Sequence, residues 1–221
     1  VCLCGHLKDV EVTNRFDGKF IVLDGPDGCG KSTQAELLAE HIRSNGSEVV
    51  GFRDPGTTVI GEKIREILLD VDHAGMADNV EVLLYMAARA QLWKEKIGPA
   101  LREGKCVVMD RWISSTCAYQ GWAGGFGVKK VIKLGEDCLE RVWPDVTVVL
   151  DVDLETAAGR MNRELDRMEQ KGQAYHMKVR EGFLELAKMS DTVEVADASR
   201  TVEQVQADVV IAVEKHLGGA K

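Results

Sequence analysis

The sequence predicts an α/β fold of three layers, α/β/α, around a five-stranded parallel sheet. Three observations carry this. Five short runs of apolar or β-branched residues alternate with longer amphipathic stretches along the 221 residues, the pattern of buried parallel strands joined by helices. The run Gly25-Pro26-Asp27-Gly28-Cys29-Gly30-Lys31-Ser32 fits G-x-x-x-x-G-K-[ST] at every fixed position, between one apolar run and the first helical stretch, where a phosphate-binding loop must stand. Gly46, Gly104 and Gly218 fall just past the ends of helical stretches, where glycine closes helices.

In chain order, residues 1–17 are polar without clear periodicity and read as an extension preceding the fold. Residues 18–221 read as a single domain, with no repeat, low-complexity tract or linker. The predicted strands are 20–24, 48–53, 106–110, 146–151 and 192–195, each short and apolar. Helical periodicity covers 32–45, 59–69, 79–103, 128–140, 154–165, 173–189 and 201–217. Asp78-Asn79 supplies a candidate N-cap for the third helix, and Pro99 should kink or interrupt it. In such sheets ligands bind beyond the carboxyl ends of the strands.

Composition narrows the function classes. Hydrophobic residues make up 45% and charged residues 29%, the balance of a globular domain with a sizeable core. No apolar run reaches the ~18 residues of a membrane span, and no secretory signal precedes the fold. A net charge of −8 argues against broad nucleic-acid binding, which needs a basic face; positive charge concentrated against that background would focus on a small anionic ligand. The six cysteines, at 2, 4, 29, 106, 117 and 138, lack disulfide-framework spacing and fit a reducing cytoplasm. Cys2, Cys4 and His6 make only a weak metal site.

Five segments carry chemistry. In the phosphate loop, glycines turn backbone N–H groups toward phosphate oxygens, Lys31 adds a full charge, and the Ser32 hydroxyl is placed for Mg²⁺. Arg53, ending the second strand, faces the same sheet edge, although alone it reads equally as part of a solvated turn. Tyr85 and Arg89, four apart, share a helical face; taken alone, that face reads more readily as part of an amphipathic surface helix. Asp110 ends an apolar strand, the usual second half of a phosphate-loop site, holding Mg²⁺ directly or through water. Arg111 beside it can hold a phosphate while paired with a carboxylate. Ser114 to Gly121 offers hydroxyls, an amide and a ring. Arg160, Arg163 and Arg167, spaced three and four apart, are expected on one helical face. They form either a solvated charged helix or an arginine-bearing lid over about 160–175, and the upstream loop favours the lid. Cys29, at a helix N-terminus beside Lys31, is expected to be a reactive thiolate; the alternative is a small residue that fits the loop.

Leu23 to Thr33, Arg53-Asp54-Pro55-Gly56, Ala87-Ala88-Arg89-Ala90-Gln91, Asp110-Arg111 with Ala118-Tyr119-Gln120-Gly121, and Glu164-Leu165-Asp166-Arg167 resemble, in this order and spacing, the thymidylate kinase family. The resemblance covers about residues 19–215, and Asp197 to Glu203 resembles the family's adenine-side loop. It implies a nucleoside monophosphate kinase-like P-loop fold, with acceptor-binding helices at about 54–103, and transfer of the γ-phosphoryl of ATP to dTMP in dTTP synthesis. Gly25, Asp27, Gly28, Cys29, Gly30, Lys31, Ser32 and Thr33 would bind ATP. Ser32 and Asp110 would serve Mg²⁺. Asp27, Arg53, Tyr85, Arg89, Arg111, Ser115, Tyr119 and Gln120 would bind dTMP: Arg53 and Arg111 at its phosphate, Tyr85 on the thymine face, Arg89 and Gln120 at its edge, Tyr119 beside the sugar's 2′ position. Lys31, Arg111, Arg160, Arg163 and Arg167 would be catalytic. Gly28 stands where some members carry a basic loop residue, so the lid supplies the cations, as in the bacterial type. A homodimer is implied. Asp24 and Asp54 replace glutamates common in the family, Gly56-Thr57-Thr58 replaces Gly-Gly-Thr, Tyr85 replaces Phe, and Trp112 replaces Tyr. The alternatives are a kinase for another nucleoside monophosphate or deoxynucleoside and, from another class, a nucleotide-switched binding module. The latter predicts an N-K-x-D motif, which the sequence lacks.

Overall fold

The computed structural model describes residues 14–161 and 163–217. The weak metal candidate at Cys2, Cys4 and His6, most of the expected extension and the expected capping Gly218 lie outside the described residues. The fold boundary falls before residue 17 rather than after it, because Phe16 is fully buried in the core.

Five parallel strands, β1 (Phe20–Asp24), β2 (Val49–Arg53), β3 (Cys106–Asp110), β4 (Val146–Asp151) and β5 (Val193–Asp197), lie in the order β2-β3-β1-β4-β5. Central β1 pairs with β3 from Phe20–Val107 to Leu23–Asp110 and with β4 from Ile21–Val146 to Asp24–Val149. Alternation along each strand builds the three layers. Phe20, Val22, Val107 and Met109 point to one face, and Ile21, Leu23, Cys106 and Val108 to the other. Each such fully buried aliphatic or aromatic side chain contributes about 1.5–3 kcal/mol.

The helices are α1 (Lys31–Ser44), α2 (Val59–Leu69), α3 (Asp78–Leu92), α4 (Gly98–Arg102), α5 (Ile113–Thr116), α6 (Val128–Cys138), α7 (Leu154–Arg160), α8 (Gln173–Met189) and α9 (Val202–Leu217). Leu38 and Ile42 of α1 join Val205, Val209 and Val213 of α9 on one face of the sheet. Met86 and Leu92 of α3, Val131 of α6 and Val179, Phe183 and Leu186 of α8 cover the other. Among the described residues no helix is long and apolar enough to cross a membrane.

Two helical expectations need correction, and one helix lies outside the predicted stretches. The stretch 79–103 is split by a π-helical turn, Trp93–Ile97, before α4. Pro99 then falls in the first turn of α4, where its missing N–H leaves no bond unmade. Ala77, not Asp78 or Asn79, occupies the N-cap of α3; Asp78 sits in its first turn without a capping bond, and its charge favours the helix N-terminus there. Residues 113–123 form α5 followed by a π-helical turn, Cys117–Ala123. Amphipathic periodicity does not reveal this helix, because Ser-Ser-Thr and glycine read as loop formers and the segment is buried on nearly all sides.

Candidate functional site

The phosphate loop leaves β1 and enters α1 at the carboxyl edge of the sheet. Gly25, Gly28 and Gly30 all have positive φ. Gly28 is also fixed by packing: a Cβ there would collide with the Ala157 carbonyl of α7, so this loop has no room for a side chain at that position. Lys31 is buried and donates to the Pro26 carbonyl at 2.9 Å. Ser32 Oγ donates to Asp110 Oδ2 at 2.6 Å, bringing the two expected metal ligands together. Both are hard oxygen donors, as Mg²⁺ requires, and phosphates and waters complete its shell in such sites. Among the described residues no group of three or more His, Cys, Asp or Glu forms a metal cage.

Arg111 adopts φ 70°, a strained value for a non-glycine residue, which turns its side chain back over the loop. Its guanidinium donates to the Gly25 carbonyl at 3.0 Å, Ser115 Oγ at 2.8 Å and Asp27 Oδ1 at 2.5 Å. Tyr119 donates its hydroxyl to Asp27 Oδ2 at 2.7 Å. Burial pushes the Asp27 carboxyl up, but Arg111, Lys31 and the Tyr119 hydroxyl outweigh it and hold Asp27 well below the usual carboxylate range. Asp24 is fully buried beneath this cluster and accepts from Ser114 at 2.5 Å and Ser115 at 2.6 Å.

Two cavities flank this cluster. One is lined by Lys31, Ser32, Thr33, Arg53, Asp110 and Arg160 among others. The second is lined by Tyr85, Arg89, Ser115, Tyr119 and Gln120 among others. Asp27, Arg65, Arg111 and Arg163 line both, so the cavities meet at three cations and one carboxylate. At the inner end of the second cavity, Arg89 forms a buried ion pair with Asp54, both its Nε, at 2.7 Å, and its Nη2, at 2.5 Å, meeting Asp54 Oδ2. Arg89 Nη2 also donates to the Trp112 carbonyl and to Thr116 Oγ1. Arg89 Nη1 and Asp54 Oδ1 are buried without a partner among the described residues. Unsatisfied buried polar atoms in a cavity wall are places for a ligand's polar atoms.

Several expectations change. Arg53 lines the first cavity but not the second and is paired with Glu62 at 3.0 Å. Arg65, which the sequence did not single out, reaches both and donates to the Pro55 carbonyl at 3.1 Å. The three arginines at 160, 163 and 167 do not share a helical face, because α7 ends at Arg160 rather than near residue 165. The Asp166 carboxylate accepts from the backbone N–H groups of Met168 and Glu169, a local bond that competes with continuation of the helix. Arg160 donates to the Ala198 carbonyl at 2.8 Å, linking α7 to the loop after β5. Arg163 is half exposed and paired with Glu169 at 2.5 Å. Arg167 is buried, facing Glu81 at 2.6 Å and the Leu68 carbonyl at 2.7 Å, and lines neither cavity.

Cys29 also departs from expectation. It is buried, and burial pushes its thiol up despite Lys31, so the helix N-terminus does not yield a reactive thiolate. Brief alkylation of the native protein should label exposed Cys138 well before Cys29, and activity should survive. Peptide mapping checks this; early labelling of Cys29 with loss of activity would restore the thiolate reading.

Comparison with known proteins adds to the geometry. A family model described as thymidylate kinase matches residues 23–209. A thymidylate kinase from Caldanaerobacter subterraneus subsp. tengcongensis is 44% identical over 206 residues, 92% of this chain and 99% of that protein. One from Thermosipho africanus is 41% identical over 199 residues, 90% of this chain and 98% of that protein. The crystal structure of thymidylate kinase from Ehrlichia chaffeensis superposes with a TM-score of 0.72 at 29% identity, covering 90% of this chain and 99% of that one.

Proposed function

The chain belongs to the thymidylate kinase family, and on that premise we propose that it transfers the γ-phosphoryl group of ATP to dTMP, giving dTDP and ADP. The observation that carries this is the junction of the two cavities at Asp27, Arg65, Arg111 and Arg163. A donor phosphate in one and an acceptor phosphate in the other would meet among those cations. An oxygen of the dTMP phosphate forms the new bond to the γ-phosphorus as the bond to the β,γ-bridging oxygen breaks. The acceptor phosphate is already largely ionised near neutral pH, so no general base is needed. The chain positions the two groups and neutralises charge.

The roles divide as follows. The loop amides and Lys31 hold the β- and γ-phosphates. Arg65 and Arg111 grip the acceptor phosphate, with Arg53 on the donor side. Ser32 and Asp110 would hold Mg²⁺ together with the phosphates, and the ion when bound neutralises their charge. Asp27, ionised, fixes Arg111 and Tyr119. Tyr85 lies along the base; Arg89 Nη1 is free to donate to its O4. Arg160 and the loop at 197–203 border the adenine side. Residues of about 160–175 act as the lid, carrying Arg163 from Glu169 to the transferring group.

A coupled assay with ATP, Mg²⁺ and a panel of monophosphates tests the reading. dTMP should be preferred over dUMP modestly, since one methyl is worth about 1–3 kcal/mol, and over UMP strongly, since a 2′-hydroxyl would meet the Tyr119 ring. Preference for another monophosphate, or ATP turnover independent of any, would overturn it.

The lid role predicts a contrast. Arg163→Ala should lower kcat by about tenfold with little change in the KM for ATP. The effect is moderate because leaving Glu169 offsets part of the gain at the phosphate. Arg167→Ala should instead lower stability by about 1–3 kcal/mol, because it removes a charged partner of buried Glu81. Wild-type kcat in Arg163→Ala would leave Arg163 with its Glu169 pair alone.

A homodimer and a cytoplasmic location complete the proposal. Val59, Ile60 and Ile67 of α2 and Val80 and Leu83 of α3 are exposed apolar side chains, more than solvent-facing helices ordinarily present. They support a second copy docking there, which sedimentation equilibrium reads directly. Unpaired cysteines at 29, 106, 117 and 138 support a reducing compartment.

A further inference from the structure

Glu81 lies on α3, is 2% exposed, and lies outside the lining of both cavities. Among the described residues, every polar contact its carboxylate makes is with a donor. Oε1 accepts from Gln120 Nε2 at 2.8 Å and from Lys171 Nζ at 3.1 Å. Oε2 accepts from Arg167 Nη1 at 2.6 Å and from Lys171 Nζ at 3.2 Å. Burial pushes the carboxyl up, but the Gln120 hydrogen bond and the Lys171 and Arg167 charges outweigh it, so Glu81 stays ionised.

An ionised carboxylate can only accept. Gln120 can therefore face it only with its NH₂ group, whichever way the amide would otherwise turn. The rest of Gln120 is fixed as well. Its backbone carbonyl accepts from Phe126 N at 3.0 Å, and the neighbouring Tyr119 carbonyl accepts from the Tyr175 hydroxyl at 2.8 Å. Gln120 lines the acceptor cavity, and with its nitrogen committed to Glu81 it offers that cavity a carbonyl oxygen. Another residue of the same lining, Arg89, carries a buried donor, Nη1, without a partner among the described residues. The wall thus presents one acceptor and one donor.

We propose that Glu81 is a specificity-determining positioning residue, which locks the Gln120 amide so that the acceptor cavity admits a pyrimidine bearing N3–H and rejects one whose N3 is bare. Thymine and uracil have N3–H and an O4 acceptor, complementary to Gln120 Oε1 and Arg89 Nη1. Cytosine has an unprotonated N3 and an N4 amino group, which set acceptor against acceptor and donor against donor. Such mismatches in a buried polar site discriminate strongly, because neither partner finds a substitute. The proposal rests on the reading of the second cavity as the dTMP site and adds the group that sets its sign.

The test compares kcat/KM for dTMP and dCMP, which share sugar and phosphate, in the wild-type chain and three variants. Glu81→Gln is nearly isosteric and can both donate and accept, so Gln120 becomes free to turn. Glu81→Met removes the acceptor altogether. In both, the dTMP-to-dCMP ratio should fall by about tenfold or more; it should not vanish, because Arg89 still opposes the N4 amino group. Lys171→Met leaves the Glu81–Gln120 and Glu81–Arg167 contacts in place, and its ratio should stay within about threefold of wild type. A ratio unchanged in both Glu81 variants, with activity toward the two substrates falling together, overturns the proposal and leaves Glu81 a structural residue. An equal fall in Lys171→Met also overturns it, by assigning the effect to loosening of the lid. If the wild-type chain fails to phosphorylate dTMP, the reading of the cavity itself has failed, a result distinct from both.

Discussion

Lys31→Ala is expected to lower kcat by about two to three orders of magnitude while leaving the protein folded. Losing one preorganised donor aimed at developing charge costs about 3–4 kcal/mol in other enzymes, and Lys31 brings a full charge to that place. Among the described residues its ammonium donates to the Pro26 carbonyl at 2.9 Å and makes a long contact to Cys29 Sγ at 3.8 Å. The fold depends little on either. The loop conformation rests on the positive-φ glycines and on Arg111, which bonds the Gly25 carbonyl, and both remain. The KM for dTMP should change less than kcat, because Arg65, Arg89 and Arg111 line the cavity proposed for the acceptor and Lys31 does not. Turnover with saturating substrates and a thermal melt in parallel check this. A folded variant with near-normal turnover would end the phosphate-loop reading of this site.

Much of this site was legible in the sequence because its motif is local. The loop needs glycines, a lysine and a hydroxyl within eight residues, and strand β1 before it is an unbroken apolar run. Strands 20–24, 106–110 and 146–151 and helices 59–69 and 173–189 have the bounds their periodicity predicts. What was not legible depends on partners distant in sequence. Arg167 looks like its neighbours Arg160 and Arg163 until Glu81 and the Leu68 carbonyl, 86 and 99 residues away, take it into the interior. Arg65 is one more cation on an amphipathic helix until α2 packs beside the cavities. Cys29 shows the opposite error: the helix N-terminus and Lys31 were visible, but the desolvation that dominates its thiol depends on the packing around it, which only the folded chain supplies.

Asp54→Ala should cost about 3–5 kcal/mol of stability, the usual result of leaving a buried charge without its partner. That is a large share of the roughly 5–15 kcal/mol that holds a domain folded. The pair is buried, with side chains 1% and 0% exposed for Arg89 and Asp54, so the lost carboxylate leaves a charge that bulk water screens poorly. The remaining contacts of Arg89, to the Trp112 carbonyl, Thr116 Oγ1 and the Trp112 ring, supply no counter-charge. The orientation of Arg89 depends on the same pair. Both Nε and Nη2 meet Asp54 Oδ2, which leaves Nη1, buried in the cavity wall, without a partner among the described residues. Losing Asp54 should therefore raise the KM for dTMP more than it lowers kcat. The double variant Asp54→Ala/Arg89→Leu separates the two effects. With no unpaired charge it should regain part of the lost stability, yet the KM for dTMP should stay high because the donor is gone. Urea unfolding of the wild type, both single variants and the double variant yields the coupling energy directly. dTMP added at about 100 times its Kd should stabilise the wild type by about 2.7 kcal/mol and the double variant by less at the same concentration. An Asp54→Ala protein as stable as wild type, with an unchanged KM for dTMP, would mean that Arg89 is held by its neutral contacts alone and that the ion pair neither supports the fold nor aims the donor.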